Sequence, residues 1–368
     1  MPRVSLTVWV VVAGMCVFWG LLGSLMLPAA RSHDFLNLYT GARLALEGRF
    51  AEMHEPAVQL AEERKIYPEL GTLVPFVRPS FYSLVLAPLG LLPYGTAFAA
   101  WIALQTVLLL GAWAWAWRRF GGDALVFSAM FLPGPLGIAS GQDCAVLLAL
   151  LAGAYELERR GRDKAAGAVL ALMLVKFHLV LLWPVALLVQ RRWRMLAGFC
   201  AAAAVEVAAC LALGGWPGAE SYVRLLLNKD LDRLSPTPEF MISVQGLAAN
   251  LGIEGVWFPA AFGACVCAVL VWALRGAPAW RMFVLAPLAS LLIVPHVYGY
   301  DAALLLVPVW LAIFEGSWPP GRIAATLFAT PVPFGFALAG KPYSVVASVS
   351  LAAFFLIQAA EASRARKA

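Results

Sequence analysis

The chain has 368 residues, of which 62% are hydrophobic and only 13% charged, and its mean hydropathy is +0.80. Soluble domains carry about 25% charged residues, so this composition excludes an ordinary soluble protein and predicts an all-α polytopic membrane protein. The net charge is +6, but the basic residues lie in short clusters between apolar segments. That distribution is typical of membrane topology and does not indicate nucleic-acid binding.

The apolar segments predict about twelve membrane helices, some of them half-length, in one integral membrane domain over residues 1–368. The first segment, 6–27, is long enough to cross a bilayer, and we interpret it as an uncleaved anchor. A shorter apolar piece at 81–92, bounded by Pro79 and Pro93, is expected to be re-entrant or interfacial. The remaining predicted helices are 97–117, 124–139, 143–157, 165–175, 177–189, 195–213, 256–274, 282–295, 302–314, 322–339 and 343–360.

The basic clusters predict the orientation of these helices. If the N-terminus is cytoplasmic, most of the 27 Lys and Arg residues fall in short cytoplasmic loops or tails, and so does the C-terminus. The two long loops, 28–80 and 214–254, then lie outside the cytoplasmic membrane, the first with interfacial or re-entrant helices. Large loops on one face only favour an enzyme whose active site is on the outer, periplasmic face.

One predicted helix has basic residues at both ends. The segment 165–190 is about one helix long, yet it lies between the basic stretches 159–164 and 191–194. Two half-length helices with their apex at Lys176–His178 would keep both stretches on one side, and broken helices are tolerated where they line a cavity. The alternative is one tilted helix that carries a charge within the membrane.

Asp34 is the first acidic residue after the predicted anchor. The apolar spacing that follows, from Phe35 to Leu46, predicts a helix that begins near Asp34. The carboxylate could simply cap this helix. An acid at the membrane surface is also well placed to act as general base on a lipid-borne substrate.

Two cations are candidates for binding a phosphate. Lys176 lies deep in the apolar region, where a charge costs about 2.5–3.5 kcal/mol and usually marks a functional site. The alternative is an ion pair with a buried acid such as Glu206. Arg78 precedes the short helix at 81–92, a position that suits phosphate, although a snorkelling interfacial arginine is the alternative.

Three further motifs lie on the predicted outer side. In the turn Gly141-Gln142-Asp143, the aspartate could cap the next helix. In the stretch 296–301, His296 and Tyr300 could line a pocket, and Asp301 could cap the following helix. The triplet 230–232 resembles the D-x-D motif of sugar transferases, but it lies in a charged loop and we interpret it as solvated. The six cysteines lie mostly within apolar runs, which predicts neither disulfides nor a zinc site.

The order of these motifs resembles the GT-C glycosyltransferases, and more specifically glycosyltransferase family 87, the polyprenyl-phosphate-mannose-dependent mannosyltransferases and their bacterial relatives. Arg78 stands where the family often has an aromatic residue, and Asp143 where it commonly has asparagine. The matching stretches are Asp34-Phe35 with Tyr39, Arg78-Pro79-Ser80-Phe81, residues 87–93, Gly141-Gln142, the segment around Lys176, and His296 with Tyr300-Asp301.

The resemblance implies inverting transfer of a mannose-like hexose from a polyprenyl-phosphate sugar to a hydroxyl of a glycan or glycolipid, with Asp34 as general base. Arg78, Lys176 and His178 would then hold the donor phosphate. No cofactor is expected, and the resemblance does not decide whether the reaction requires a divalent metal. A lipid or solute transporter and a non-catalytic scaffold in envelope assembly are the alternatives. The residues expected to line the pocket are His33, Tyr39, Gln142, Asp143, His296, Tyr300 and Asp301.

Overall fold

The computed structural model describes residues 5–32, 34–227 and 238–364, and within these ranges the chain is helical and forms no β-strand. His33 and the triplet 230–232 therefore lie outside the described residues. The first part of the chain forms α1 Leu6–Ser32, α2 Asp34–Leu46, α3 Pro56–Arg64, α4 Ser80–Gly90, α5 Tyr94–Phe120, α6 Asp123–Met130, α7 Pro133–Ala139 and α8 Cys144–Arg159.

The second part of the chain contains longer helices interrupted by 3₁₀ segments. Its elements are α9 Asp163–Ala171, a 3₁₀ segment Leu172–Val180, α10 Trp183–Val189, α11 Trp193–Leu226, a 3₁₀ turn Pro238–Phe240, α12 Val244–Leu251, α13 Trp257–Leu274, α14 Trp280–Ile293, a 3₁₀ segment Gly299–Leu305, α15 Leu306–Phe314, α16 Pro319–Ala329, α17 Val332–Leu338 and α18 Val345–Arg364.

The predicted number of membrane helices is not confirmed. By length and composition, the described residues contain 5 helices able to cross a membrane, or up to 7 if each of two bent pairs is one span. Several predicted helices are fragments: the predicted 124–139 divides at Pro133 into α6 and α7, because proline lacks the N–H that would continue the helix. Others, such as α14, are shorter than the roughly 20 residues a span requires.

The segment with basic residues at both ends folds back on itself. A bend of 110° separates Asp163–Val180 from α10. Arg192, which follows α10, contacts the carboxylate of Asp163 at the start of α9 at 3.1 Å and also pairs with Glu158. Both ends of the segment therefore meet at one end of the bundle, as the two-helix interpretation required. The sharp bend follows Val180, whereas the apex was expected at 176–178.

Two glycines seat this segment against α11. A Cβ atom on Gly167 would lie 1.9 Å from the carbonyl oxygen of Met195, and one on Gly198 would lie 2.0 Å from that of Lys164. The two helices therefore touch backbone to backbone. Small residues allow this close approach in membrane proteins, where van der Waals packing drives helix association.

The two long loops pack against each other. Helix α11 breaks at Gly215, which has φ 62°, and its second half turns onto the first loop. There the Tyr222 hydroxyl donates to the carbonyl oxygen of Val77 at 3.4 Å, and Arg224 forms an ion pair with Glu55 at 2.9 Å. Parts of the loops 28–80 and 214–254 thus share one end of the bundle.

Helix α14 forms the centre of the bundle. Its residues from Arg281 to Leu292 are all buried, so it has no exposed polar face. A helix that is apolar on all sides is expected in a bundle interior. Its C-terminal end leads directly into residues 294–301, which brings the His296–Asp301 motif against the other helix ends.

Candidate active site

Five chain segments meet where the long loops join the bundle. Each contributes a polar side chain from a helix end or a helix irregularity rather than from a regular helix interior. They are Asp34 at the start of α2, Arg78 before α4, Gln142-Asp143 before α8, Lys176 in the 3₁₀ segment and Asp301 after α14. Helix ends suit such a cluster, because side chains there can reach across the bundle without interrupting its packing.

Arg78 and Asp143 form a buried bidentate ion pair. Nε of Arg78 donates to Oδ2 of Asp143 at 3.0 Å, and Nη2 donates to Oδ1 at 3.1 Å. Asp143 is fully buried and makes no side-chain capping bond to α8, so it is an ion-pair partner and not the helix cap considered as the alternative. Arg78 and Asp143, the two residues that differ from the usual residues of glycosyltransferase family 87, thus neutralise each other's charge.

Lys176 binds two carboxylates and one amide oxygen. Its Nζ lies 2.8 Å from Oδ1 of Asp301, 3.2 Å from Oδ1 of Asp143 and 3.1 Å from Oε1 of Gln142. The alternative prediction, an ion pair between Lys176 and Glu206, is wrong. The Oε1 atom of Glu206, on α11, has no hydrogen-bond partner among the described residues. The backbone of Lys176 leaves the helical region, with φ −122° and ψ 64°, and this irregularity interrupts the 3₁₀ segment at the ion pairs.

Asp301 has two roles. Its Oδ2 accepts the backbone N–H of Tyr298 at 3.1 Å in a capping box, so Asp301 caps the helical segment from its third position, with Tyr298 as the N-cap, and does not precede the helix as predicted. Its Oδ1 accepts from Lys176. One carboxylate therefore fixes both the start of a helical segment and the position of the buried cation.

Asp34 lies at the open edge of the network. It is partly exposed, and it accepts a hydrogen bond from the side chain of Gln142. Burial raises the pKa of Asp34 to about 6, although the charge of Lys176 and the Gln142 hydrogen bond act to lower it. A carboxylate of this pKa is mainly ionised at pH 7 and still accepts a proton readily, as a general base must.

Gln142 connects the carboxylate to both cations. Its Oε1 accepts from Nη2 of Arg78 at 3.3 Å and from Lys176, so its amide nitrogen is the group that donates to Asp34. Gly141, with φ 72°, permits the turn that places Gln142 here, and its carbonyl accepts from the Trp101 indole at 2.9 Å. Sequence reasoning placed Gln142 in the pocket but missed this bridging position.

Three predicted residues form a more open rim. His178 and Tyr300 are partly exposed and His296 is exposed. Nζ of Lys176 lies 5.5 Å from the centroid of the Tyr300 ring. His178 is close enough to Asp301 and His296 to interact with them electrostatically.

The structure does not bring Tyr39 into this group of side chains. The Tyr39 hydroxyl donates to the carbonyl of Leu92 at 2.8 Å, and its ring packs edge-on against Tyr94.

The charges of the network nearly balance. Three carboxylates, those of Asp34, Asp143 and Asp301, face two cations, so one negative charge remains when Asp34 is ionised. Within the described residues, Nη1 of Arg78 has no hydrogen-bond partner, whereas Lys176 is fully engaged. In the same ranges, no three His, Cys, Asp or Glu side chains are arranged to hold a metal ion.

A bundle of apolar helices with ionisable side chains gathered at one end, beside two loops, is consistent with a class of protein, the polytopic membrane proteins. Comparison with protein families matches residues 76–295 to glycosyltransferase family 87. This match covers more than half of the chain, and the chain belongs to that family: it is a GT-C-like membrane glycosyltransferase. Comparisons with curated proteins and with solved structures gave no match.

Proposed function

We propose that this protein transfers a hexose, mannose in the first instance, from a polyprenyl-phosphate sugar to a hydroxyl of a glycan or glycolipid, with inversion at the anomeric carbon. The observation that supports the proposal most strongly is Asp34: a partly exposed carboxylate of raised pKa beside two buried cations. The site would lie on the outer face of the cytoplasmic membrane, with both termini in the cytoplasm.

In the reaction, Asp34 removes the proton of the acceptor hydroxyl as its oxygen attacks the anomeric carbon. The bond between that carbon and the phosphate oxygen breaks on the opposite face, and polyprenyl phosphate leaves with the bonding electrons. A general base contributes about 10²–10⁴-fold to such a step. The Gln142 hydrogen bond holds the carboxylate in place.

The departing phosphate needs positive charge at the moment the bond breaks. Nη1 of Arg78 is the donor that the resting network leaves available, and Lys176 supports it through the shared carboxylate of Asp143. Fixed charges in a site with little water stabilise developing negative charge without reorganisation. His178, at the rim, is positioned as a further donor to the phosphate.

The donor class is tested by incubating the purified protein in proteoliposomes with polyprenyl-phosphate mannose, polyprenyl-phosphate glucose and the matching nucleotide sugars. We expect transfer to a hydroxyl acceptor from a lipid-linked donor and none from nucleotide sugars, because the family resemblance implies a polyprenyl-phosphate donor. Transfer from nucleotide sugars alone would contradict the proposal. Lipid or solute flux without any transfer would favour the transporter alternative.

The pH profile should report the ionisation of Asp34. Because the base must be ionised, the transfer rate should rise with pH and reach half its maximum near pH 6. Gln142→Ala removes a hydrogen bond that lowers the pKa, so its half-maximum should lie at higher pH. Gln105→Ala is the matched control, because buried Gln105 accepts from the backbone of Ala145 and does not contact Asp34. An unchanged profile for Gln142→Ala would contradict the assignment.

A further inference from the structure

A second polar site lies at the end of α10. A cavity of about 580 Å³ opens between the residues that follow α10 and the turn that joins α13 to α14. Val189, Arg191, Arg192, Leu274 and Arg275 are among its lining residues. Gln190 holds the two sides together, since its Nε2 donates to the carbonyl of Ala277 at 3.2 Å.

This cavity is separate from the Asp34 network. Ala279, which lines the cavity, immediately precedes α14, and the far end of α14 leads to Asp301. At 1.5 Å per residue, the 14 residues of α14 separate the two sites by roughly 20 Å. A ligand in the cavity therefore does not occupy the candidate active site.

Arg191 has a backbone conformation that usually requires glycine. With φ 54°, it is the only non-glycine residue of positive φ in the described ranges. It follows α10 in a Schellman-type end, in which the N–H of Arg192 donates to the carbonyl of Leu187 at 2.9 Å. Among the described residues, four equivalent helix ends carry glycine at that position, namely Gly48, Gly141, Gly161 and Gly252.

An arginine at a position that favours glycine is strained, and residues held in such strained conformations cluster at functional sites. The side chain of Arg191 is exposed and has no ion-pair or hydrogen-bond partner among the described residues, whereas its neighbour Arg192 is paired with Glu158 and Asp163. Arg191 thus supplies a guanidinium at this cavity that is available to an anion.

The surroundings indicate that the anion is carried by a lipid. The lining residue Arg192 directly precedes α11, and the lining residue Leu274 ends α13. Both helices are long and apolar enough to cross a membrane, so the cavity lies at the membrane boundary. Trp193 follows the lining residue Arg192 and is 60% exposed, and Trp272, two residues before the lining residue Leu274, is 49% exposed; tryptophan is enriched at the membrane interface. Val189, which is partly exposed, supplies an apolar contact beside the charge.

We propose that this cavity binds the phosphate of an anionic phospholipid headgroup, with Arg191 as the main donor to the phosphate oxygens. Guanidinium groups bind phosphate bidentately, and basic pockets between membrane helices accept anionic headgroups. By the positive-inside orientation, the lipid would belong to the cytoplasmic leaflet. The proposal does not depend on the transfer reaction.

Native mass spectrometry of the delipidated full chain tests this proposal, with phosphatidylglycerol and phosphatidylcholine as competing ligands. We expect the wild type to prefer phosphatidylglycerol by roughly fivefold to tenfold. Arg191→Gly should lose most of this preference, yet it should melt at or above the wild-type temperature because it removes the strain. Arg191→Asn, which tolerates positive φ, should behave in the same way, and Arg191→Lys should keep part of the preference.

Arg194→Ala is the matched control, because this exposed arginine is three residues away and does not line the cavity. The proposal is overturned if Arg191→Gly and Arg191→Asn keep the wild-type preference, or if Arg194→Ala loses as much. Equal binding of phosphatidylcholine by the wild type would also overturn it. Displacement of the lipid by inorganic phosphate at equal concentration would show a site for free phosphate instead.

Discussion

Replacing Asp34 by asparagine is expected to lower the rate of sugar transfer by about 10²–10⁴-fold, the usual contribution of a general base. Asparagine has the same shape and can still accept the hydrogen bond from Gln142, but it cannot take a proton from the acceptor. Asp34 is partly exposed, so the substitution leaves no buried charge without a partner. The measurement is the initial rate of transfer with protein of unchanged melting temperature.

Asp123→Asn is the matched control for this substitution. Asp123 is likewise an acid in the first turn of a helix, α6, but it is exposed and takes no part in the network. We expect it to transfer at the wild-type rate. Undiminished transfer by Asp34→Asn, with Asp123→Asn also unchanged, would remove Asp34 from the mechanism and leave it as a residue at a helix start.

Lys176→Met is expected to destabilise the protein by about 3–5 kcal/mol and to abolish transfer. The substitution leaves the buried carboxylate of Asp301 without its cation and deprives Asp143 of one of its two partners. Removing one member of a buried ion pair costs this much, because the remaining charge stays in a medium that solvates it poorly. The measurement is the thermal unfolding of the detergent-solubilised protein.

Arg119→Met shows what the loss of a less buried ion pair costs. Arg119 pairs with Glu315, and both side chains are about one third exposed, at 31% and 28%. Because water solvates both groups after the pair is broken, the expected loss is about 0–1 kcal/mol. Equal losses for Lys176→Met and Arg119→Met would mean that the Lys176 network adds no more to stability than a partly exposed ion pair.

Much of the helical architecture could be predicted from the sequence because it depends on local patterns. The predicted 97–117 and 343–360 are observed as α5 and α18, with ends that differ by a few residues. The basic flanks of 165–190 also predicted correctly that this segment returns to its starting end. The basic flanks could not predict the position of the bend, because the local sequence pattern does not determine where a buried helix ends and the chain changes direction.

The site was predicted as a set of residues but not as a network. Arg78 and Asp143 are 65 positions apart, and Lys176 and Asp301 are 125 apart. No periodicity relates residues at such distances, so each was interpreted by its immediate neighbours, as a cap or a phosphate ligand. The pairing becomes visible only when helix packing brings the five segments together.

The number of spans was harder to predict than the helices themselves. A helix such as α14 is largely apolar and buried on all sides, and hydropathy cannot distinguish burial in protein from burial in lipid. Its 14 residues are enclosed by other helices, so it need not be long enough to span the bilayer on its own. Counting apolar segments therefore overestimates the spans that meet the length criterion.

The central claim is that Asp34 is the base in transfer from a lipid-linked sugar. The most direct measurement is single-turnover transfer from radiolabelled polyprenyl-phosphate mannose in proteoliposomes, with wild type, Asp34→Asn and Asp123→Asn compared at pH 7. We predict labelled product with wild type and Asp123→Asn, and at least about 100-fold slower formation with Asp34→Asn. Product formed at equal rates by all three proteins would contradict the account.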